Sequence, residues 1–176
     1  MAHVLATWEV YAKTVVGGLA SHALVGTPTF SVGLISGGIS VNTVPDHCVI
    51  EVDRRVLPKE NSPAARQHAI DYLAQHVPPG TPVEHDAPFI VSYGLSDDHN
   101  GALAARIGEI ARRFGGGERI GVPFGTNAPA YANAGSPSVV FGPGSIDQAH
   151  TCDEWVAIEQ LQAAAEVYFQ FAKSGG

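Results

Sequence analysis

Cysteine is nearly absent from this chain. Cys48 and Cys152 are the only two in 176 residues, and they stand too far apart for a Cys-x-x-Cys pair, which argues against a zinc knuckle and a dithiol redox motif. A reduced, cytoplasmic setting is the corresponding expectation. Cys48 alternates with Ile50 and Val52 in a strand-like run and reads as a small buried hydrophobe. Basic residues are also scarce, with 10 Lys and Arg against 17 Asp and Glu, a formal net charge of -7 and no Lys/Arg run. That balance argues against nucleic acid or an anionic membrane as a partner. No apolar stretch approaches the roughly 18 residues of a membrane span, and nothing reads as a signal peptide. There is no internal repeat, and the glycines at 115 to 117 lack the spacing and following lysine of a phosphate loop.

What is present is the material of a core. Hydrophobic residues make up 45% of the chain and charged ones 15%, the composition of a folded protein of one ordinary domain or two small ones. From Ala2 to about Val16, Leu5, Trp8, Ala12 and Val15 recur at helical intervals before Gly17 and Gly18. Thr29 to Gly37 and His47 to Val56 alternate as strands with one buried face, the first through Phe30, Val32 and Leu34. Asn61-Ser62-Pro63 supplies a cap and an early proline for a helix marked by Ile70, Leu73 and Val77, and Phe89 to Tyr93 reads as a further strand. This order predicts a split β-α-β-β-α-β, ferredoxin-like unit lacking its first strand.

The second half reads as α/β. Ser96-Asp97-Asp98 looks like a cap before Leu103, Ile107, Ile110 and Phe114, and it makes capping a better account of Asp97, Asp98 and His99 than metal binding. Gly125-Thr126-Asn127 turns into a short helix of small residues, and Ser138 to Phe141 reads as a buried strand. Gly142-Pro143-Gly144 then forms a stiff turn leading to His150. On spacing alone His150 reads as a polar loop residue with a satisfied hydrogen bond. A last helical stripe, Ile158, Leu161, Ala165, Tyr168, Phe169 and Ala172, predicts a helix packed onto a sheet. The boundary falls near Ser92 to Ser96, giving portions 1–93 and 94–176.

Several of these segments together resemble the M20 family of zinc-dependent amidohydrolases and peptidases, which includes deacetylases, desuccinylases and aminoacylases. They are Gly125-Thr126-Asn127-Ala128, Phe141-Gly142-Pro143-Gly144 and Ala149-His150-Thr151-Cys152-Asp153-Glu154, preceded by Gly37-Gly38, Asn42-x-x-Pro45 and Asp53-x-Arg55. The resemblance implies a lid or dimerisation domain over 1–93 and the C-terminal section of a zinc-hydrolase catalytic domain over 94–176. It implies that His150 is a zinc ligand, that Asn42, Arg55, Thr126, Asn127 and Gly142 bind substrate, and that the lid forms a homodimer. The competing reading, less favoured, is Arg55 as the partner of Asp53 or Glu51 on its own strand face. Asn127 stands where many members carry Asp, which loosens the inference about substrate. His22 lies outside the segment from which many members contribute a lid histidine.

A hydrolytic zinc site needs about three protein ligands, an open position for water and usually a carboxylate base. The sequence contains no His-x-Asp, Glu-Glu, His-Glu-x-x-His or Gly-x-Ser-x-Gly. The expectation is therefore part of a metal-dependent hydrolase of N-acyl amino acids or small peptides, inactive alone and with no catalytic residue of its own. The alternative is a dimerisation or interaction module without chemistry.

Overall fold

A computed structural model describes residues 1–175, which form an α/β structure of helices and a small antiparallel sheet. Two compact units are present, Met1–Gly94 and Leu95–Gly176.

The first unit opens with α1 (Ala2–Val10), which runs directly into a π-helical turn, Tyr11–Val16. The predicted helix is thus present, but its last part is wound wider, and the Gly17 N–H reaches back five residues to the Ala12 carbonyl. The buried positions show why. Val4, Trp8 and Tyr11 keep the α spacing, while the next buried residue is Val16, five further on. A turn with i→i+5 bonding keeps Tyr11 and Val16 on one face.

Two strands follow, β1 (Thr29–Gly37) and β2 (Cys48–Arg55), paired antiparallel. The register moves by one residue between Val32, opposite Val52, and Leu34, opposite Glu51, so Gly33 is a bulge. The expected alternation through Leu34 fails here for a geometric reason. Beyond the bulge Ile35 pairs with Ile50, and Leu34, opposite Glu51, is turned outward to 62% exposure; Ile35 itself lies past the core and is 53% exposed.

Helix α2 (Ser62–His76) begins as its sequence predicts. Asn61 Oδ1 accepts the Ala64 N–H at 2.8 Å, and Pro63 lies in the first turn, where its missing N–H costs nothing. Ala69 and Leu73 are its buried face. They close a core with Val4, Trp8, Tyr11, Val16 and Phe30. The Phe30 ring lies 4.8 Å from Trp8 and, edge to face, 5.1 Å from Tyr11, and Tyr72 lies 4.9 Å from Tyr11.

The predicted strand Phe89–Tyr93 does not form. Just beyond it Gly94 forms an isolated parallel bridge with Pro58. Proline has no N–H with which to extend a ladder. The approach is close, since a Cβ on Gly94 would lie 2.5 Å from the Pro58 nitrogen.

The second unit contains α3 (Gly101–Arg112), α4 (Ala128–Asn133), a 3-10 turn (Ile146–Gln148) and α5 (Ile158–Lys173). Helix α3 starts later than the Ser96-Asp97-Asp98 signal suggests. Asn100, 3% exposed, occupies the N-cap position, donates from Nδ2 to the Ser96 carbonyl at 2.5 Å and accepts the Ser138 N–H at 2.6 Å. Helix α5 packs on α3, and the buried residues of the pair are Ala111 on α3 and Ala164 and Val167 on α5. Of the stripe expected to be buried, Ile158 (68% exposed), Leu161 and Phe169 face outward, while Tyr168 donates its hydroxyl to the Phe141 carbonyl at 2.6 Å and meets the Phe141 ring edge to face. The predicted strand Ser138–Phe141 is likewise unpaired, for no second strand lies beside it among the described residues. An apolar cleft of about 540 Å³ runs along it, lined by Leu103, Ile107, Tyr131, Val139 and Phe171. No helix among the described residues is long and apolar enough to cross a membrane.

Burial raises the Tyr11 pKa above its ordinary 10.0, opposed by the neighbouring Arg54 guanidinium. Because the neutral phenol is favoured in the fold, its contribution is intact below about pH 10 and is lost as pH rises through the folded value. Denaturation midpoints measured between about pH 9 and 11 should therefore fall less steeply in Tyr11→Phe than in the parent. At neutral pH the same variant should cost about 1 kcal/mol, from loss of the 3.0 Å hydrogen bond between the Tyr11 hydroxyl and His68 Nδ1.

Candidate functional site

In the first unit the residues of interest lie at the two ends of β2. The connection from Gly38 to His47 carries no Lys, Arg or Glu and a single Asp, Asp46, and it exposes Ile39, Val41 and Val44 almost completely. Asn42 is at its tip, where its Oδ1 accepts the Ser40 hydroxyl, and Pro45 packs beneath Gly38. At the other end Arg55 Nε donates to Asp53 Oδ2 at 2.6 Å, with both side chains more than half exposed. Asn42 and Arg55 are thus separated by the length of a strand within this unit and share no hydrogen bond.

Sequence reasoning passed over Arg54. Strand alternation sends it inward, opposite Phe30, where its side chain is 11% exposed. Its Nη2 pairs with Glu60 Oε1, and its Nη1 donates to the Arg55 carbonyl. Its Nε is buried without a hydrogen-bond partner among the described residues. The available signal was the alternation itself, which places Cys48, Ile50, Val52 and Arg54 on one face. Glu60 also accepts the Leu57 N–H at 2.9 Å across a turn in which Lys59 has φ +72°.

In the second unit, Thr126 Oγ1 accepts the Ala128 N–H at 3.2 Å at the entrance to α4. Asn127 holds the N-cap position but makes no capping bond, so its amide is unspent. Gly142 is exposed, and Gly144 takes the positive φ of +92° that turns the chain toward the 3-10 segment. Ser145 caps that segment by accepting the Asp147 N–H. His150 follows in a left-handed conformation, φ +62°, which is uncommon for a residue other than glycine. Its N–H is held by Glu154 Oε2 at 3.0 Å, while the exposed imidazole makes no hydrogen bond among the described residues. Thr126, Asn127, Gly142 and His150 are not hydrogen-bonded to one another. His22 sits in a tight loop, exchanging backbone hydrogen bonds with Gly26 at 2.8 and 2.9 Å.

The donor set does not make a closed metal site. Among the described residues no group of three or more His, Cys, Asp or Glu side chains is arranged to hold an ion. A hydrolytic zinc requires about three protein donors, and His150 offers one.

A helix–hairpin–helix unit with a family-type loop between its strands defines the class of this protein. Residues 1–81 match the family model of the peptidase dimerisation domain, M20_dimer, so this part of the chain is of the M20 dimerisation-domain type. Similarity to curated proteins extends further along the chain. The acetylornithine deacetylase of Myxococcus xanthus is 29% identical over 136 residues, covering 76% of this chain and 34% of that protein. Those of Photorhabdus laumondii (29% over 146 residues) and Vibrio cholerae serotype O1 (33% over 156 residues) cover 81% and 80% of this chain and 36% of their own length. The chain thus spans about a third of the length of the curated relatives it matches.

The exposed Arg55–Asp53 pair is of the kind that contributes little. Asp53→Asn should accordingly change stability by less than about 0.5 kcal/mol. Chemical denaturation followed by Trp8 fluorescence in a Trp155→Phe background measures it.

Proposed function

We propose that this chain supplies the lid and part of the catalytic domain of a metal-dependent hydrolase that cleaves the amide bond of N-acyl amino acids or small peptides, in the cytoplasm. The observation that carries the reading is similarity to acetylornithine deacetylases beyond the dimerisation domain, in matches of 136 to 156 residues against a domain of 81. In this reading zinc is the metal and His150 is one of its ligands. Its imidazole is exposed and uncommitted, with the backbone fixed by Glu154. Arg55 recognises a substrate carboxylate, because a guanidinium tied only to an exposed aspartate is able to exchange it for a bidentate partner. Asn42, Thr126 and Asn127 provide amide and hydroxyl groups to the substrate, and Gly142 leaves its own backbone open to approach, with nothing within 4 Å of a Cβ built there.

The chain alone is expected to hold no stoichiometric tight zinc and to hydrolyse no N-acyl amino acid, since affinity at such sites comes from three or four protein ligands. When it is joined in frame to the part of the Myxococcus xanthus relative outside the matched region, hydrolysis of N-acetyl-L-ornithine should appear. His150→Ala in that fusion should weaken zinc binding at least about 10-fold, a loss comparable to that from removing a supporting ligand contact. One-to-one zinc binding by the isolated chain, or full activity without His150, would sink the reading.

A second reading is favoured by the exposed apolar loop and by the family description of residues 1–81. In it the first unit is a homodimerisation module, with or without chemistry elsewhere. Exposed apolar patches and unpaired strand edges are the features that a second copy covers. Light scattering of the purified chain at about 10 μM should give twice the chain mass, a concentration at which a Kd of about 1 μM, near -8.2 kcal/mol, favours the dimer. A monomer there counts against the dimer.

A further inference from the structure

The adjacent arginines at the end of β2 leave the strand on opposite faces and are held in opposite ways. Arg55 faces solvent and touches Asp53, two residues back, through side chains more than half exposed. Pairs of this kind contribute little and fix geometry poorly. Arg54 faces inward and is committed on two sides, to Glu60 and to the carbonyl of Arg55. Glu60 closes the ring: it accepts the Leu57 N–H through Oε2 at 2.9 Å, and its own N–H donates to the Leu57 carbonyl at 3.0 Å.

Stability does not account for this arrangement. Moving a guanidinium and a carboxylate out of water costs about as much as their attraction returns, and apolar residues of similar volume often do as well or better. Arg54 also leaves its Nε buried and unpaired, a further cost. What the pair does provide is direction. The planar fork of the guanidinium ties the carbonyl of residue 55 to the turn at 57–60, and with it the backbone from which the Arg55 side chain departs.

We propose that Arg54 is the positioning residue for Arg55: by clasping Glu60 and the Arg55 carbonyl, it sets the direction in which the Arg55 guanidinium is presented. The functional meaning rests on the reading of Arg55 as the carboxylate-recognising group. The weakness of the Asp53 contact then has a use, because a fixed backbone and an exchangeable side-chain partner are what a ligand carboxylate requires.

The test uses the full 176-residue chain labelled with ¹⁵N and needs no substrate. It reads the Nε–Hε signal of Arg55, with Arg113, which lies 3.9 Å from Glu109 on the helix surface, as the reference for an unclasped guanidinium. In the parent the Arg55 order parameter should exceed about 0.6, above that of Arg113. In Arg54→Met with Glu60→Leu the melting temperature should hold or rise, while the Arg55 signal loses its dispersion and its order falls to the Arg113 level. Glu60→Gln should show a smaller loss, and Arg54→Lys, which keeps the charge and one of the two bonds, should retain part of the order. An unchanged Arg55 signal in a folded double variant overturns the proposal. If the double variant does not fold, an unchanged signal in both Glu60→Gln and Arg54→Lys overturns it equally. Failure of Arg55 to recognise substrate would leave these results as they are, so the two readings fail separately.

Discussion

Everything in the first unit hangs on the meeting of Trp8, Tyr11 and Phe30. A two-stranded hairpin is marginal in water by itself, and the bulged sheet of β1 and β2 has one end covered by helices and the other exposed. The covered end is where Phe30 enters between the two aromatic rings of the first helix, with Leu73 of α2 beneath, 2% exposed. Burying a side chain of this size is worth roughly 1.5–3 kcal/mol, and several together make the hairpin a stable platform. The π-helical turn serves the same contact, since it keeps Tyr11 and Val16 on the face that α1 began.

The platform gives the two ends of β2 different characters. At the helix-covered end the side chains are fixed by burial, and Arg54 and Glu60 turn the chain back toward α2. At the far end the loop around Asn42 has little beneath it beyond Pro45. The backbone at residue 55 is therefore tied to the following turn through Arg54 and Glu60, whereas that at residue 42 is not.

Elements set by local chemistry were legible in the sequence. The Asn61–Pro63 start of α2, both strands and the turn into α4 at Thr126–Asn127 lie where capping residues, alternation and turn chemistry put them, and the M20 motifs led to the family of the dimerisation domain. What was illegible depended on partners. Gly33 looks like any small residue in a strand, yet as a bulge it turns Leu34 outward. Asn100 carries no stronger signal than Ser96, yet it is buried at the N-cap position of α3, with its Oδ1 committed not to the helix but to the N–H of Ser138, 38 positions away. Phe89–Tyr93, Ser138–Phe141 and the outer stripe of α5 all have the composition of buried elements, and composition specifies what a segment prefers to touch without supplying it. Asn42, Arg55, Thr126, Asn127, Gly142 and His150 are candidates that only the family pattern suggests, whereas the burial of Arg54 follows from its place on the strand's inner face.

The closeness of Gly94 to Pro58 bears on how the polypeptide can be divided. A side chain at 94 would collide with the Pro58 ring nitrogen and the Leu57 carbonyl carbon, at 2.5 and 2.8 Å from its Cβ, so the last residue of the first unit is also its tightest fit. Gene fusions, permuted termini and flexible inserts meant to separate the two halves therefore belong beyond this glycine, among the polar residues from Ser96 onward, and a junction placed before it would remove the stop that ends the first unit.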